Sequence, residues 1–179
     1  MTYDQIHGYC DFHAFYKAML ERMPNNGVMA EVGVWLGHSV AYMATLAKES
    51  GKNITIHAVD TFEGSIEHKK RNLGNFRDQF VANIEGCAVG NFVNVIQSES
   101  VVAAKSFKDE SLDFVFIDGS HDYHSVSEDI KVWRRKVKPS GILAGHDYSE
   151  AWPGVIRAVK EQFIFKKQIN IERNVWWIQ

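Results

Sequence analysis

The chain is poor in cysteine: Cys10 and Cys87 are the two among 179 residues. Their separation matches no metal-ligand spacing, so no cysteine-framed zinc module is readable. Free thiols in a reducing cytoplasm are the expectation, with one disulfide as the alternative. Proline is scarce too, at three residues, and no low-complexity tract, repeat or linker-like stretch is visible. The chain therefore reads as one domain, with residues 1–26 as an N-terminal helical addition to a core of 27–179. Long apolar runs are missing; none approaches the roughly 20 residues of a membrane span. Met1-Thr2-Tyr3-Asp4-Gln5 lacks the basic and apolar regions of a signal peptide. An excess of one charge is missing as well. The formal net charge is -2, so no global field draws the chain to nucleic acid or membrane. What remains is ordinary globular material, 45% hydrophobic and 23% charged, long enough for a substantial core.

Within that composition the placement of acids is informative. Val28-Met29-Ala30 runs into Glu31, Ile54 to Val59 into Asp60, Leu112 to Ile117 into Asp118, and Gly141 to Gly145 into His146-Asp147. Helix-like stretches separate these runs. The pattern predicts an α/β fold: a doubly wound, Rossmann-like, mostly parallel sheet of seven strands, helices on both faces, one strand antiparallel near the C-terminus. Ligands of such sheets bind outside the carboxyl ends of the strands. The expected strands are Val28–Val32, Ile54–Val59, Phe92–Ile96, Leu112–Ile117, Ile142–Ala144, Gln168–Ile171 and Val175–Ile178, with a turn at Pro139-Ser140-Gly141. Helical spacing marks Phe12, Phe15, Tyr16, Met19 and Leu20. It also marks Val40, Ala44 and Ala47, then Leu73, Phe76, Phe80 and Ile84. A short helix is expected from Glu99 to Phe107. Two longer ones carry Val126, Ile130, Trp133 and Val137, and Val155, Ile156, Val159 and Phe163 behind Pro153.

Glu31-Val32-Gly33-Val34-Trp35-Leu36-Gly37 reads as a strand end, a glycine turn and a helix start near His38-Ser39, a cradle for a nucleotide-like or amino-acid-like cofactor. The dinucleotide fingerprint G-x-G-x-x-G is absent. The acid before the turn would repel a pyrophosphate but suits a cationic ligand. Asp60 is placed to accept ribose hydroxyls; otherwise it is a turn acid. Ser98 and Ser100 either line an adenine pocket or cap a helix. His68-Lys69-Lys70-Arg71 with Arg77 reads as a solvated face, or as a basic lid over an acidic acceptor. The cations between Lys131 and Lys138 suit a helix C-terminus.

Ala30-Glu31-Val32-Gly33 with Gly37, Ala58-Val59-Asp60 and Phe116-Ile117-Asp118-Gly119 resemble the successive motifs of class I S-adenosylmethionine-dependent methyltransferases. The stretches Phe114–Tyr123 and Lys138–Tyr148 narrow the resemblance to the macrocin O-methyltransferase and cephalosporin-hydroxylase-like group of small-molecule O-methyltransferases. The resemblance implies that Glu31, Gly33, Gly37 and Ser39 hold the methionine end of the cofactor and Asp60 its ribose. It also implies a divalent metal on Asp118, His146 and Asp147, which would bind the acceptor hydroxyl and favour its alkoxide. Relatives often carry an acid at position 146. A histidine there tilts the site from magnesium toward manganese or zinc. In the rival reading His146 or His121 is the general base, with Asp118 beside them. His121 and His124 also read as residues that start the next helix.

The expected function is methyl transfer to a hydroxyl of a small-molecule acceptor. Alternatives are N-methylation, a nicotinamide-dependent oxidoreductase and a non-catalytic cofactor-binding domain. The chain has no Asn/Asp-Pro-Pro-aromatic motif of amino-group base methylases and no duplex-binding charge. The missing fingerprint opposes the oxidoreductase, and binding alone would not need His146-Asp147 opposite Asp118. No nucleic acid or membrane partner is expected. A second copy of the chain could complete the acceptor pocket, although the sequence marks no interface for one.

Overall fold

The computed structural model describes residues 1–64, 76–163 and 169–179. Among these, seven strands form one sheet: β1 Val28–Val32, β2 Thr55–Asp60, β3 Val93–Gln97, β4 Leu112–Ile117, β5 Val137–Gly145, β6 Asn170–Glu172 and β7 Val175–Ile178. The order across the sheet is β3-β2-β1-β4-β5-β7-β6. β1 to β5 run parallel, and β7 lies antiparallel between β5 and β6. The strand order reverses between β1 and β4, so a crevice opens at their carboxyl ends. The helices are α1 His13–Arg22, α2 His38–Ser50, α3 Arg77–Gly86, α4 Ser100–Ala104, α5 Tyr123–Trp133 and α6 Pro153–Phe163. None of the described helices is long and apolar enough to cross a membrane.

Strand alternation sorts the apolar residues into two layers. Met29, Ile56, Phe114, Phe116 and Ala144 face α1, α2 and α3 in one core. Ala30, Val59, Val115, Ile117 and Leu143 face α4, α5 and α6 in the other. Position 31 therefore shares the face of Met29, under α1 and α2, and Asp60 and Asp118 fall on that same face. α1 is laid down by Phe15, Tyr16, Met19 and Leu20, all buried. Its last carbonyls are taken by Lys52, whose Nζ donates to Leu20, Glu21 and Met23 carbonyls at 2.6, 3.0 and 2.7 Å. A cation at a helix C-terminus also answers the helix dipole.

The strands differ from the sequence expectation at β5. Pro139-Ser140-Gly141 is not a turn before the strand but lies inside β5, where the pairing with β4 shifts register between Leu112 and Phe114. Pro139 is exposed at that irregularity, where a missing donor is tolerated. Val137 accordingly begins β5 instead of ending the helix of Trp133. Lys136 and Arg135 pair with Asp109, and Lys138 with Asp113, so these cations serve ion pairs more than a helix end. α4 is shorter than Glu99 to Phe107, and Ile156 is half-buried where a core position was expected. Leu73, the His68–Arg71 run and Gln168 lie outside the described residues.

Candidate active site

The chain leaves β1 through Gly33 and Gly37, both in the left-handed region at φ 85° and 88°. A Cβ on Gly33 would sit 2.2 Å from the Asp118 carbonyl oxygen, so only glycine lets the β1 turn meet the end of β4. Asp118 N–H donates to the Val32 carbonyl at 2.7 Å, and Gly33 N–H to the Val59 carbonyl at 2.8 Å. Asp60 holds the rest of the turn. Its Oδ2 accepts from Val34 N–H and Trp35 N–H at 2.8 and 2.9 Å, and its Oδ1 from Phe62 N–H at 2.7 Å. A carboxylate offers about four acceptor positions. Two are spent on the turn and one on the Phe62 amide just past β2, which leaves about one for a ligand.

Glu31 is fully buried. Its Oε2 accepts from the Tyr16 hydroxyl at 2.8 Å, and its Oε1 accepts from the Ser39 hydroxyl. Burial without a cationic partner pushes its pKa up to about 8, although both hydroxyls pull the other way. An open anion facing a cationic ligand was the expectation; here Glu31 is a sealed carboxyl that fixes Ser39 and the start of α2. Tyr16 was legible as core, but nothing in its spacing announced Glu31 as its partner.

The ends of β4 and β5 bring the other predicted residues together. Asp118, His146 and Asp147 each offer one ligand atom, and the three lie within 4.8 Å of one another. They line one pocket with Ile117, Ser120, His121 and Trp176. His146 Nδ1 is 3.5 Å from Asp118 Oδ1 and 3.3 Å from Asp147 Oδ1, and His121 Nε2 is 3.0 Å from Asp147 Oδ2. The His121 ring lies against Trp152, with centroids 4.0 Å apart. Burial opposes charge on His146, but Asp118 and Asp147 outweigh it and push its pKa up to about 11. Burial likewise opposes charge on Asp147, yet His121 and His146 hold its carboxyl below the ordinary range. For Asp118 burial prevails over His146, and its pKa is raised. Two residues the sequence did not mark complete the ring: Asp11 Oδ1 is 2.8 Å from His146 Nε2, and Asn174 Nδ2 donates to Asp11 Oδ2 at 3.3 Å. They lie 135 and 163 residues from their partners along the chain, beyond any local signal.

The remaining predictions separate. Ser100 donates to Asp129 Oδ1 at 2.5 Å and accepts from Trp133 Nε1 at 2.8 Å. The position before α4 is Glu99, so neither Ser98 nor Ser100 is the cap. The α5 cap is Asp122, whose side chain accepts from Ser125 N–H, rather than His121 or His124. Both cysteines are free.

A family model described as a methyltransferase domain matches residues 30–148, which contain the glycine turn, Asp60, Asp118, His146 and Asp147. Solved structures share the fold. The O-methyltransferase NovP superposes with a TM-score of 0.73 at 18% identity, over 93% of this chain and 78% of that one. CalS11, the TDP-rhamnose 3'-O-methyltransferase of calicheamicin biosynthesis, gives 0.64 at 13%, over 93% and 76%. The precorrin 8w decarboxylase from Methanobacterium thermoautotrophicum gives 0.65 at 15%, over 99% and 94%. A doubly wound sheet of this order, with a glycine turn at the switch point and the family match across it, identifies the chain as a member of the methyltransferase-domain family, a class I S-adenosylmethionine-dependent methyltransferase.

Proposed function

We propose that this enzyme methylates a hydroxyl oxygen of a small-molecule acceptor, assisted by a divalent cation held by Asp118, His146 and Asp147. The observation that carries the reading is the convergence of those three donors, from two adjacent strand ends, in one pocket beside the glycine turn. The small hydroxylated acceptor is supported by the likeness to NovP and CalS11, both described as O-methyltransferases. S-Adenosylmethionine, when bound, supplies the electrophilic methyl group. A cation, when bound, lowers the pKa of the acceptor hydroxyl. The mixed nitrogen and oxygen donors suit manganese or zinc better than magnesium.

The chain's own residues do the positioning. Gly33 and Gly37 give the turn its shape, and Asp60 locks the Val34 and Trp35 amides while keeping about one acceptor position for a ribose hydroxyl. Glu31 acts through Ser39 at the methionine end. Ser100, tied to Asp129 and Trp133, shapes the adenine side. Asp118, His146 and Asp147 fix the acceptor oxygen, and Asp11 steadies His146 from behind. Such alignment is the main lever an enzyme has on a displacement reaction. A second reading dispenses with the cation and makes His121, oriented by Asp147 and Trp152, the general base. The 3.0 Å contact between His121 and Asp147 favours it.

The test begins with chelator-treated protein and S-adenosylhomocysteine. At 100 times the dissociation constant the ligand adds roughly 2.7 kcal/mol, a rise of about 5–11 °C in Tm for a chain of this size. Absence of a shift at saturating concentration removes the cofactor assignment. An acceptor screen of hydroxylated small molecules then follows, with and without manganese, zinc and magnesium. Turnover that chelator abolishes and manganese or zinc restores supports the cation reading. Turnover indifferent to chelator and lost in His121→Gln supports the second.

A further inference from the structure

Sharing no residue with the pocket just described, Cys10, His13 and His38 form a second cluster beside it. Each offers one ligand atom, and the three lie within 4.8 Å of one another. Two features set it apart from a packing cluster. His13 Nε2 and His38 Nε2 are both buried, and neither finds a hydrogen-bond partner among the described residues. The His38 tautomer is also set: its Nδ1 lies 2.8 Å from the Ile6 carbonyl, which can only accept, so Nδ1 carries the proton and Nε2 presents a lone pair. A ring nitrogen held by a backbone carbonyl while the other stands open is the usual arrangement behind a metal-ligating histidine. Tyr3 and Tyr42 wall the cluster, with Tyr42 at 4.2 Å from the His13 ring and Tyr3 at 5.9 Å from the His38 ring.

We infer that Cys10, His13 and His38 bind a transition-metal ion of the thiolate- and imidazole-preferring class, such as zinc or cobalt. One sulfur and two nitrogens are soft and borderline donors, which select such ions over magnesium or calcium. The ion gives both orphaned nitrogens the partner they lack, with the cysteine bound as thiolate and its proton released to solvent. Three protein ligands leave a fourth position for water. The site joins the N-terminal stretch and α1 to the first residue of α2. It thereby clamps the segment carrying Asp11 and Tyr16 against the turn and the β5 end. The inference does not depend on the metal proposed at Asp118, His146 and Asp147, which has no sulfur.

The experiment is a cobalt(II) titration of the chelator-treated chain, read by the near-ultraviolet thiolate-to-cobalt charge-transfer band. Cobalt at the carboxylate–histidine site gives no such band, so the two sites are distinguishable. The expected result is a band that saturates near one equivalent, disappears in Cys10→Ser and survives in Cys87→Ser. His13→Gln and His38→Gln keep the thiol and should weaken cobalt binding at least about tenfold. Zinc should protect Cys10 of the wild-type chain from alkylation, a readout that needs no variant. No band in the wild type, a band that persists in Cys10→Ser, one lost in Cys87→Ser, or undiminished affinity in both histidine variants each overturns the assignment.

Discussion

Glu31, next to last in β1, and Asp118, just past the end of β4, lie on neighbouring parallel strands and on the same face of the sheet, two residues apart in register. Glu31 lies beneath α1 and α2, where Tyr16 and Ser39 offer it neutral hydroxyls and no cation. Asp118 meets the end of β5, where His146 and Asp147 join it at the pocket. Burial raises the pKa of both. The difference lies in what covers each position: α1 and α2 seal one carboxyl into the core, and the residues after β5, with a histidine among them, leave the other lining a pocket. A strand-end acid is thus a position, and its chemistry comes from the element placed over it.

The largest test of that contrast is catalytic. Asp147→Asn and Asp118→Asn should each lower kcat about a thousandfold, roughly 4 kcal/mol, while S-adenosylhomocysteine affinity stays within a few-fold. Glu31→Gln should change kcat less than tenfold. Equal losses at the two strand ends in steady-state kinetics would erase the distinction.

Next comes pH. The folded Glu31 carboxyl keeps its proton up to about 8, against an ordinary value of 4.5. Between those limits the folded state binds more protons than the unfolded one, so its contribution makes stability fall as pH rises. The fall should be about 5 kcal/mol across that window, and Glu31→Gln should flatten it by that amount in urea titrations at several pH values. An unchanged slope in the variant would show that the carboxyl is not sealed.

Smaller effects sharpen the picture. Asp60→Ala should raise the S-adenosylhomocysteine dissociation constant about tenfold, near 1.4 kcal/mol, because it frees the turn amides and removes the ribose acceptor. Calorimetric affinity equal to wild type would leave Asp60 with a purely structural role. Tyr16→Phe removes one hydroxyl from Glu31, at about 1 kcal/mol and a fall in Tm of roughly 2–4 °C. It should also steepen the pH dependence, since the lost hydrogen bond was holding the Glu31 pKa down.

Much of this frame was legible beforehand. β1 and β4 begin and end where their apolar runs do, and the helices of Tyr16, Val40 and Val155 follow their spacing, because periodicity is local and burial on a sheet demands it. β5 departs from the turn that Pro139-Ser140-Gly141 predicts, since turn residues also serve at a register irregularity on a strand. The convergence of Asp118, His146 and Asp147 was readable because parallel strands deliver their carboxyl ends to one side.

The sequence by itself determined the order of elements, the sheet covered on both faces, the glycine turn and the side of the sheet on which the acids gather. Each of these follows from patterns a few residues long and from the handedness of parallel connections. Only the tertiary structure decided that Tyr16 and Ser39 seal Glu31, that Asp11 reaches His146 and is itself held by Asn174 from the other end of the chain, and that Cys10 and His13 meet His38. Apart from Ser39 with Glu31, those pairings reach across 15 residues or more of sequence. They depend on how α1 settles on the sheet, which no local pattern encodes, and a carboxyl or an imidazole takes its chemistry from the groups that settle around it.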